Sequence, residues 1–169
     1  MNRKFRKLTL SALLTALTMV SLFFAAMWPS GELGLAAFSS VFAAAAIIEE
    51  GVAAGVSVFV CSAALSLILF PGIPAPLFYI SFFGYYPVFK SLIERVKARP
   101  VRLLLKLCVF NAALAVMYYS LSALVISFRG YSPGYIVLCV SGSAVFLAFD
   151  YGFTKIIRLY EYRIHGRRM

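Results

Sequence analysis

The sequence predicts an all-α fold: a polytopic membrane protein with six transmembrane helices in one bundle and both chain ends in the cytoplasm. Hydrophobic residues make up 63% of its 169 residues and charged residues only 13%, whereas a soluble domain is about half apolar. The charged residues fall between long apolar runs, and the basic ones cluster at alternate boundaries of those runs. We therefore interpret residues 1–169 as a single integral membrane domain, most simply of a bacterial-type cell membrane.

The orientation follows from the longest polar interruption, residues 82–102, which holds five basic residues and one acidic residue. Cationic loops stay in the cytoplasm during insertion, so this segment is placed inside. The same orientation puts 15 of the 16 Lys and Arg residues inside and leaves only Arg129 outside. The net charge of +10 is thereby explained by orientation and by anionic membrane lipid. A nucleic-acid partner is not expected, because that needs basic residues spread over a folded surface.

Three spans are predicted in the first half of the chain. A helix needs about 20 apolar residues to cross a hydrocarbon core of roughly 30 Å. The first span, residues 8–28, carries no charge and ends at Trp28, an aromatic residue typical of the membrane interface. The second, residues 33–48, is short and rich in small residues, and the third, residues 52–70, ends at a loop with three prolines.

Three more spans are predicted in the second half. The fourth, residues 77–89, contains Gly84 and Pro87, which predict a kink or a frayed end. The fifth covers residues 103–128 and the sixth covers residues 134–153. The basic tail that follows is expected in the cytoplasm, so the number of spans is even.

Enzymatic and metal chemistry are not expected. The one histidine, His165, lies in the tail, so a histidine-supported metal site or a Ser-His pair cannot form in the spans. The Glu49-Glu50 pair resembles the diglutamate of CAAX-type intramembrane proteases, but their histidines are missing here. The sequence contains no GxxxxGK[ST] phosphate loop, and its three cysteines lack CxxC spacing. We expect no cofactor and no metal, and any coupling to ATP would need another chain.

Two ionisable residues fall inside predicted spans. Lys106 and Asp150 each lie about one turn within a span, near the cytoplasmic face, and are predicted to form an intramembrane ion pair. Such a pair would lock the two helices together. A proton or cation relay and separate snorkelling to water are the alternatives. Asn111, one turn deeper, is expected to hydrogen-bond across helices.

A ligand site is predicted at the outer face, if a pocket opens there. The two outer charges would anchor a polar ligand, and nearby aromatic residues would form its walls. The alternative is that the charges pair and that the aromatic residues form an interfacial belt. The candidate residues are Trp28, Glu32, Tyr79, Tyr118, Tyr119, Arg129 and Tyr131.

Small residues four apart allow helices to approach closely in a bilayer. One such ridge is Ala36, Ser40 and Ala44, and another is Ala12 and Ala16. The segment RKLTLSALLTALTMV, with its Ala-xxx-Ala motif behind a basic N-terminus, resembles the opening of S components of energy-coupling factor (ECF) vitamin transporters. That family has about six helices in a chain of similar length.

The resemblance implies a function. The chain would bind a vitamin-like small molecule from outside and rely on a separate transmembrane coupling subunit driven by two ATPases. Ala12 and Ala16 would contact that coupling subunit. No ligand-specific motif is evident, so the ligand stays open.

Two other functions compete with this interpretation. One is a non-transporting scaffold of the cell envelope, similar to MreD, whose basic segment 90–102 recruits cytoplasmic partners. The other is a small lipid or ion translocator, for which the Lys106–Asp150 pair would matter. A closed, polar-lined cavity near the outer face would favour the binding subunit, and a solid bundle would favour the scaffold.

Overall fold

The computed structural model describes residues 3–71, 74–124 and 134–165, and every regular element within these ranges is helical. The first elements are α1 (Arg3–Met27), a 3-10 turn (Pro29–Gly31), α2 (Glu32–Glu50) and α3 (Val52–Leu69). The later elements are α4 (Pro74–Phe78), a π-helical turn (Tyr79–Phe83), α5 (Tyr86–Ile93), α6 (Arg99–Leu124) and α7 (Gly134–His165). The all-α prediction is confirmed for the described residues.

Three helices in the described part of the chain are long and apolar enough to cross a membrane: Phe5–Met27, Glu32–Glu50 and Val52–Leu69. Many of their large apolar side chains face outward, among them Val20 and Val60. Extended exposed apolar surface marks contact with lipid or with another protein. The protein is therefore an all-helical protein with membrane-compatible helices.

Helices α1, α2 and α3 pack on one another through small residues. The predicted ridge of Ala36, Ser40 and Ala44 is buried, with each residue at most 4% exposed. The Ser40 hydroxyl donates to the Ala37 carbonyl within its own helix, so it needs no partner across the interface. A Cβ atom on Gly55 would collide with the Ile47 side chain. The backbones of α2 and α3 approach closely because these positions lack bulk.

The turn between α2 and α3 is a single residue, Gly51. Its φ of 96° lies in the left-handed region that favours glycine. Its N–H donates to the Ile47 carbonyl at 2.9 Å and closes the last turn of α2. This short connection makes α2 and α3 neighbours along their length.

The segment predicted as the fourth span is interrupted. We call residues 74–93 the broken helix: α4, the π-helical turn and α5 follow one another with Gly84 and Tyr85 between the last two. The Gly84 N–H donates to the Tyr79 carbonyl, five residues earlier, at 2.7 Å. The interruption occurs where Gly84 and Pro87 predict a kink. π-Helical turns of this kind are frequent at functional sites.

The chain between α5 and α6 is shorter than predicted, because α5 continues to Ile93 and α6 begins at Arg99. Helix α7 runs without interruption to His165, so the predicted tail is helical to that residue. Of the predicted fifth span, residues 125–128 lie outside the described residues.

Glu49 and Glu50 at the end of α2 meet the start of α1 and the last turns of α7. Lys7 Nζ lies 2.9 Å from Glu50, and the Tyr160 hydroxyl donates to Glu49 at 3.5 Å. Burial and the nearby Glu49 carboxylate raise the pKa of Tyr160 above its usual value. We call this end of the bundle the basic end and the opposite end, where α2 begins, the far end.

Candidate functional site

A cavity of about 500 Å³ lies between α2, the broken helix, α6 and α7. Its α2 residues are Leu33, Gly34 and Ala37, which places it in the half of the bundle nearer the far end. Most of the lining is aromatic or aliphatic, and Ser81 and Ser141 are the residues with polar side chains in the described lining. Six phenylalanines contribute to it: Phe78, Phe82, Phe83, Phe110, Phe146 and Phe149.

The cavity is lined by small residues and by closely packed aromatic rings. Phe110 and Phe146 stack across α6 and α7 with ring centroids 4.6 Å apart and planes 8° apart. The edge of Phe82 meets both rings at 5.3 and 5.5 Å. The lining also includes small residues, among them Gly34 and Ala113, which leave space beside the rings. Stacked and edge-to-face rings hold their positions well, so the walls are preorganised.

The π-helical turn supplies much of the aromatic wall. Its wider backbone places the consecutive residues Phe82 and Phe83 both in the lining and both nearly buried. Tyr79, at the start of the turn, is fully buried against α3 and does not line the cavity. Its hydroxyl shares a 2.7 Å hydrogen bond with Ser62 on α3. Tyr79 therefore attaches the broken helix to α3.

A buried ion cluster lies on the basic-end side of the cavity. Asp150 accepts hydrogen bonds from the Tyr86 hydroxyl, from Lys90 Nζ and, at 2.7 Å, from Lys106 Nζ. Lys90 Nζ also donates to the Thr154 hydroxyl at 2.6 Å. The side chains of Lys90, Lys106 and Asp150 are only 2%, 10% and 14% exposed. The cluster joins α5, α6 and α7.

The charges of the cluster are unevenly compensated. Two ammonium groups share one buried carboxylate, and the second carboxylate, Glu94, lies at the edge with 41% of its side chain exposed. Glu94 is 3.4 Å from Lys90 and 3.6 Å from Lys106. These separations exceed the usual length of about 2.8 Å for a charge-assisted hydrogen bond. Asp150 is thus the principal counter-charge.

Tyr86 connects the cavity wall to the ion cluster. Its ring lies 5.0 Å from Phe82 and 5.4 Å from Phe146, and its hydroxyl donates to Asp150. Phe153, which is 2% exposed, packs beside it. This aromatic layer forms the floor of the cavity.

A second, smaller pocket of about 270 Å³ lies beyond this floor, toward the basic end. Its lining residues on α2 are Ala44, Ile47 and Ile48, and Ile157 is on α7. The others, Pro87, Lys90, Ser91 and Glu94, belong to α5 and its C-terminal cap. Along α2, residues 38–43 separate the linings of the two pockets, which corresponds to about 10 Å of helix.

The residues predicted to bind ligand are dispersed. Trp28 is 68% exposed at the far end, Glu32 begins α2, and Tyr79 contacts α3, so none of these described members lines the cavity. Glu32 Oε1 is buried, and no described residue donates a hydrogen bond to it. Tyr118 and Tyr119 belong to α6, but their side chains lie outside the described set. Arg129 and Tyr131 lie outside the described residues altogether.

The other sequence-predicted residues are placed as follows. Lys106 and Asp150 are within ion-pair distance, and Asn111 donates to the Leu107 carbonyl within α6 and, at 3.5 Å, to Ser143 on α7. Ala12 and Ala16 are exposed on the surface of α1.

Sequence reasoning missed Lys90 and Tyr86. Lys90 was assigned to the polar loop, and Tyr86 was not singled out. The available indication was their i, i+4 spacing, which puts both on one face of a helix.

Within the described residues, no group of three or more His, Cys, Asp or Glu side chains is arranged to hold a metal ion. The three cysteines are free thiols. The site is an apolar cavity with a charged cluster beneath its floor. No family model, curated protein or solved structure matches this chain.

Proposed function

We propose that this protein is a membrane-embedded solute-binding subunit of the ECF S-component type, with its ligand held in the 500 Å³ cavity. The observation that carries the proposal is the cavity itself, which lies between four preorganised walls in the half nearer the far end. Its volume is in the range of small-molecule sites, about 300–1,000 Å³. The cavity has an apolar lining and is partly open, so it is neither the closed, polar-lined cavity expected of a binding subunit nor the solid bundle expected of a scaffold. Its volume is what supports the binding proposal.

The proposed topology has six crossings with both ends in the cytoplasm. Three crossings are the apolar helices α1, α2 and α3. The broken helix, α6 and α7 would supply the others, and the 26 and 32 residues of α6 and α7 exceed the roughly 20 that a crossing needs. The clustering of basic residues supports a cytoplasmic location for the basic end. The cavity then lies toward the outer face, where a solute would enter.

The lining indicates the chemical class of the ligand. With two serines among otherwise apolar described residues, the cavity would desolvate a hydrocarbon or aromatic body of a ligand at little cost. A ligand with buried charges would lose its hydration without gaining partners in that lining. We therefore propose a mainly apolar small molecule with one or two hydrogen-bonding groups, in place of the polar ligand that the outer charges predict.

Energy for release would come from other chains. The sequence has no phosphate-binding loop, so a coupling subunit with ATPases would drive the inward step. Ala12 and Ala16 lie on an exposed surface of α1 with Leu13 and Leu17, which are 57% and 39% exposed. This small-residue surface would accept a partner helix at close range.

The test compares two adjacent alanines on α6. Ala113 is buried and lines the cavity, whereas Ala112 is exposed. Ala113→Leu adds bulk to the cavity, so we expect at least a tenfold loss of the small molecule that copurifies with the protein, while Ala112→Leu keeps it. Native mass spectrometry of gently solubilised protein, followed by solvent extraction, measures both. The absence of any bound molecule in the wild type, or equal occupancy in the two variants, would refute the proposal.

A further inference from the structure

The smaller pocket at the basic end has a chemical character unlike that of the cavity. Ile47, Ile48 and Ile157 form an apolar side, and Lys90, Ser91 and Glu94 form a polar side. A pocket with an apolar side and a side that offers the Lys90 ammonium group matches a molecule in which an anionic group adjoins hydrocarbon, provided that Glu94 moves aside. Phospholipids have that arrangement.

The two ammonium groups of the ion cluster are matched by two carboxylates, of which Glu94 is the more loosely held. Lys90 and Lys106 both contact Asp150, so one of the two positive charges is neutralised at short range. Glu94 opposes the other at 3.4 and 3.6 Å, beyond ordinary hydrogen-bonding distance for charged groups. A buried charge favours a closer counter-ion than this one.

Glu94 is also free to move aside. Its backbone N–H donates to the Lys90 carbonyl at 2.9 Å and caps α5, while its side chain is 41% exposed. Rotation of the side chain into solvent leaves that backbone bond intact. The Glu94 carboxylate can therefore be displaced from Lys90 by an anion that binds more strongly.

The residues after Glu94 add to the positive potential at the pocket entrance. Arg95 and Lys97 are exposed in the short connection to α6, and Arg102 lies in the first turn of that helix. Clusters of Lys and Arg beside apolar helices attract anionic headgroups. The attraction is local because salt screens it beyond roughly 10 Å.

We propose that this pocket binds the phosphate of one anionic phospholipid, whose oxygen displaces the Glu94 carboxylate from Lys90 while its glycerol and acyl region contact the isoleucines. The chemistry recognised is a phosphate anion without a neighbouring cation, because a choline group beside the phosphate would be repelled by Arg95 and Lys97. The lipid is its source because the apolar side of the pocket would have no role for free phosphate. The inference does not depend on the ligand of the cavity.

The test uses delipidated, detergent-solubilised full-length protein and three ligands: phosphatidylglycerol, phosphatidylcholine with the same acyl chains, and inorganic phosphate. Native mass spectrometry counts bound molecules. We expect one phosphatidylglycerol to bind at least tenfold more tightly than phosphatidylcholine. Equal affinity for the two lipids, or binding of inorganic phosphate as tight as that of phosphatidylglycerol, would overturn the proposal.

Substitutions at Glu94 identify the pocket. Glu94→Gln removes the competing carboxylate and should raise phosphatidylglycerol affinity severalfold. Glu94→Asp keeps the net charge but shortens the side chain, so a smaller rise in the same direction is expected. The control, Glu49→Gln, removes a carboxylate at the same end that does not line this pocket, and it should leave affinity near the wild-type value.

A second readout covers the case in which Glu94→Gln weakens the fold of the lipid-free protein. Added phosphatidylglycerol should then raise the unfolding temperature of this variant more than that of the wild type. Two results together would show that the lipid binds elsewhere. Glu94→Gln would bind the lipid no better than the wild type, and the lipid would raise its unfolding temperature by no more than it raises that of Glu49→Gln.

Discussion

The α1–α3 unit and the α4–α7 region are both helical, but different interactions hold them together. In α1–α3, small residues such as Ala36 and Ser40 let backbones approach, and the Ser39 and Ser40 hydroxyls donate within their own helix. In α4–α7, the helices are held together by a broken helix, a set of phenylalanines and a buried ion cluster. The cavity borders mainly on the second region. Close packing of small residues thus makes α1–α3 a solid support, whereas the large rings and buried charged groups of α4–α7 leave space for a ligand.

The largest expected effect comes from removing the shared counter-charge. Asp150→Asn keeps the shape of the side chain but leaves Lys90 and Lys106 buried without their principal anion. Breaking a buried pair in this way costs about 3–5 kcal/mol. We expect a large drop in the unfolding temperature of the purified protein in detergent, measured by a thermal-unfolding assay.

Lys90→Met is the matched control for that substitution. It removes one ammonium group and leaves the Lys106–Asp150 pair at 2.7 Å intact. We expect a clearly smaller loss of stability than for Asp150→Asn. If both substitutions lower the unfolding temperature equally, the cluster is not organised around a shared carboxylate.

Much of the α1–α3 unit was predictable from the sequence. The first three apolar runs, residues 8–28, 33–48 and 52–70, correspond closely to α1, α2 and α3. They are recognisable because each is bounded by charges, glycine or proline, and because helix ends follow such local features. The buried small residues were also predictable, since a spacing of four puts them on one helix face.

The α4–α7 region was less predictable because its defining contacts join distant residues. Lys106 and Asp150 could be paired from their depths in two predicted spans. Lys90 could not, because hydropathy assigns a lysine at the end of an apolar run to a loop, whereas its partner Asp150 lies 60 residues further along the chain. The break in the fourth span was predictable from Gly84 and Pro87, whereas the π-helical form of the turn was not.

The cavity lining illustrates the same limit. Position near a predicted outer loop suggested Trp28 and Tyr79 as walls, but depth in the membrane does not determine which way a side chain faces. Tyr79 contacts Ser62 on α3, whereas the described cavity is lined largely by phenylalanines. The direction in which a side chain points is set by packing between helices, and a single sequence does not reveal that packing.

A smaller effect is expected where the two regions meet. Tyr79→Phe removes the 2.7 Å hydrogen bond between the broken helix and α3, although the Ser62 hydroxyl keeps its 2.6 Å bond to the Val58 carbonyl. Because one partner stays satisfied, the loss should be about 1 kcal/mol. Thermal unfolding in detergent measures it.

The control is Tyr85→Phe, which removes a hydrogen bond that stays within the broken helix, from the Tyr85 hydroxyl to the Ser81 carbonyl. A bond inside one segment does not attach the two regions, so we expect this variant to be less destabilised than Tyr79→Phe. The reverse order would mean that Tyr79 does not act as the attachment.

The smallest effect on stability is expected on the outer surface of α1. Ala12 is exposed, so Ala12→Leu should change the free energy of unfolding by less than about 0.5 kcal/mol. Its effect should fall on assembly, because the added side chain would separate a partner helix from the small-residue surface. Native mass spectrometry of complexes isolated from membranes should show loss of the coupling partner from Ala12→Leu and retention by Ala112→Leu, the same change on exposed α6 surface. A complex that survives Ala12→Leu would mean that the solid α1–α3 unit supports the cavity but does not provide the docking surface.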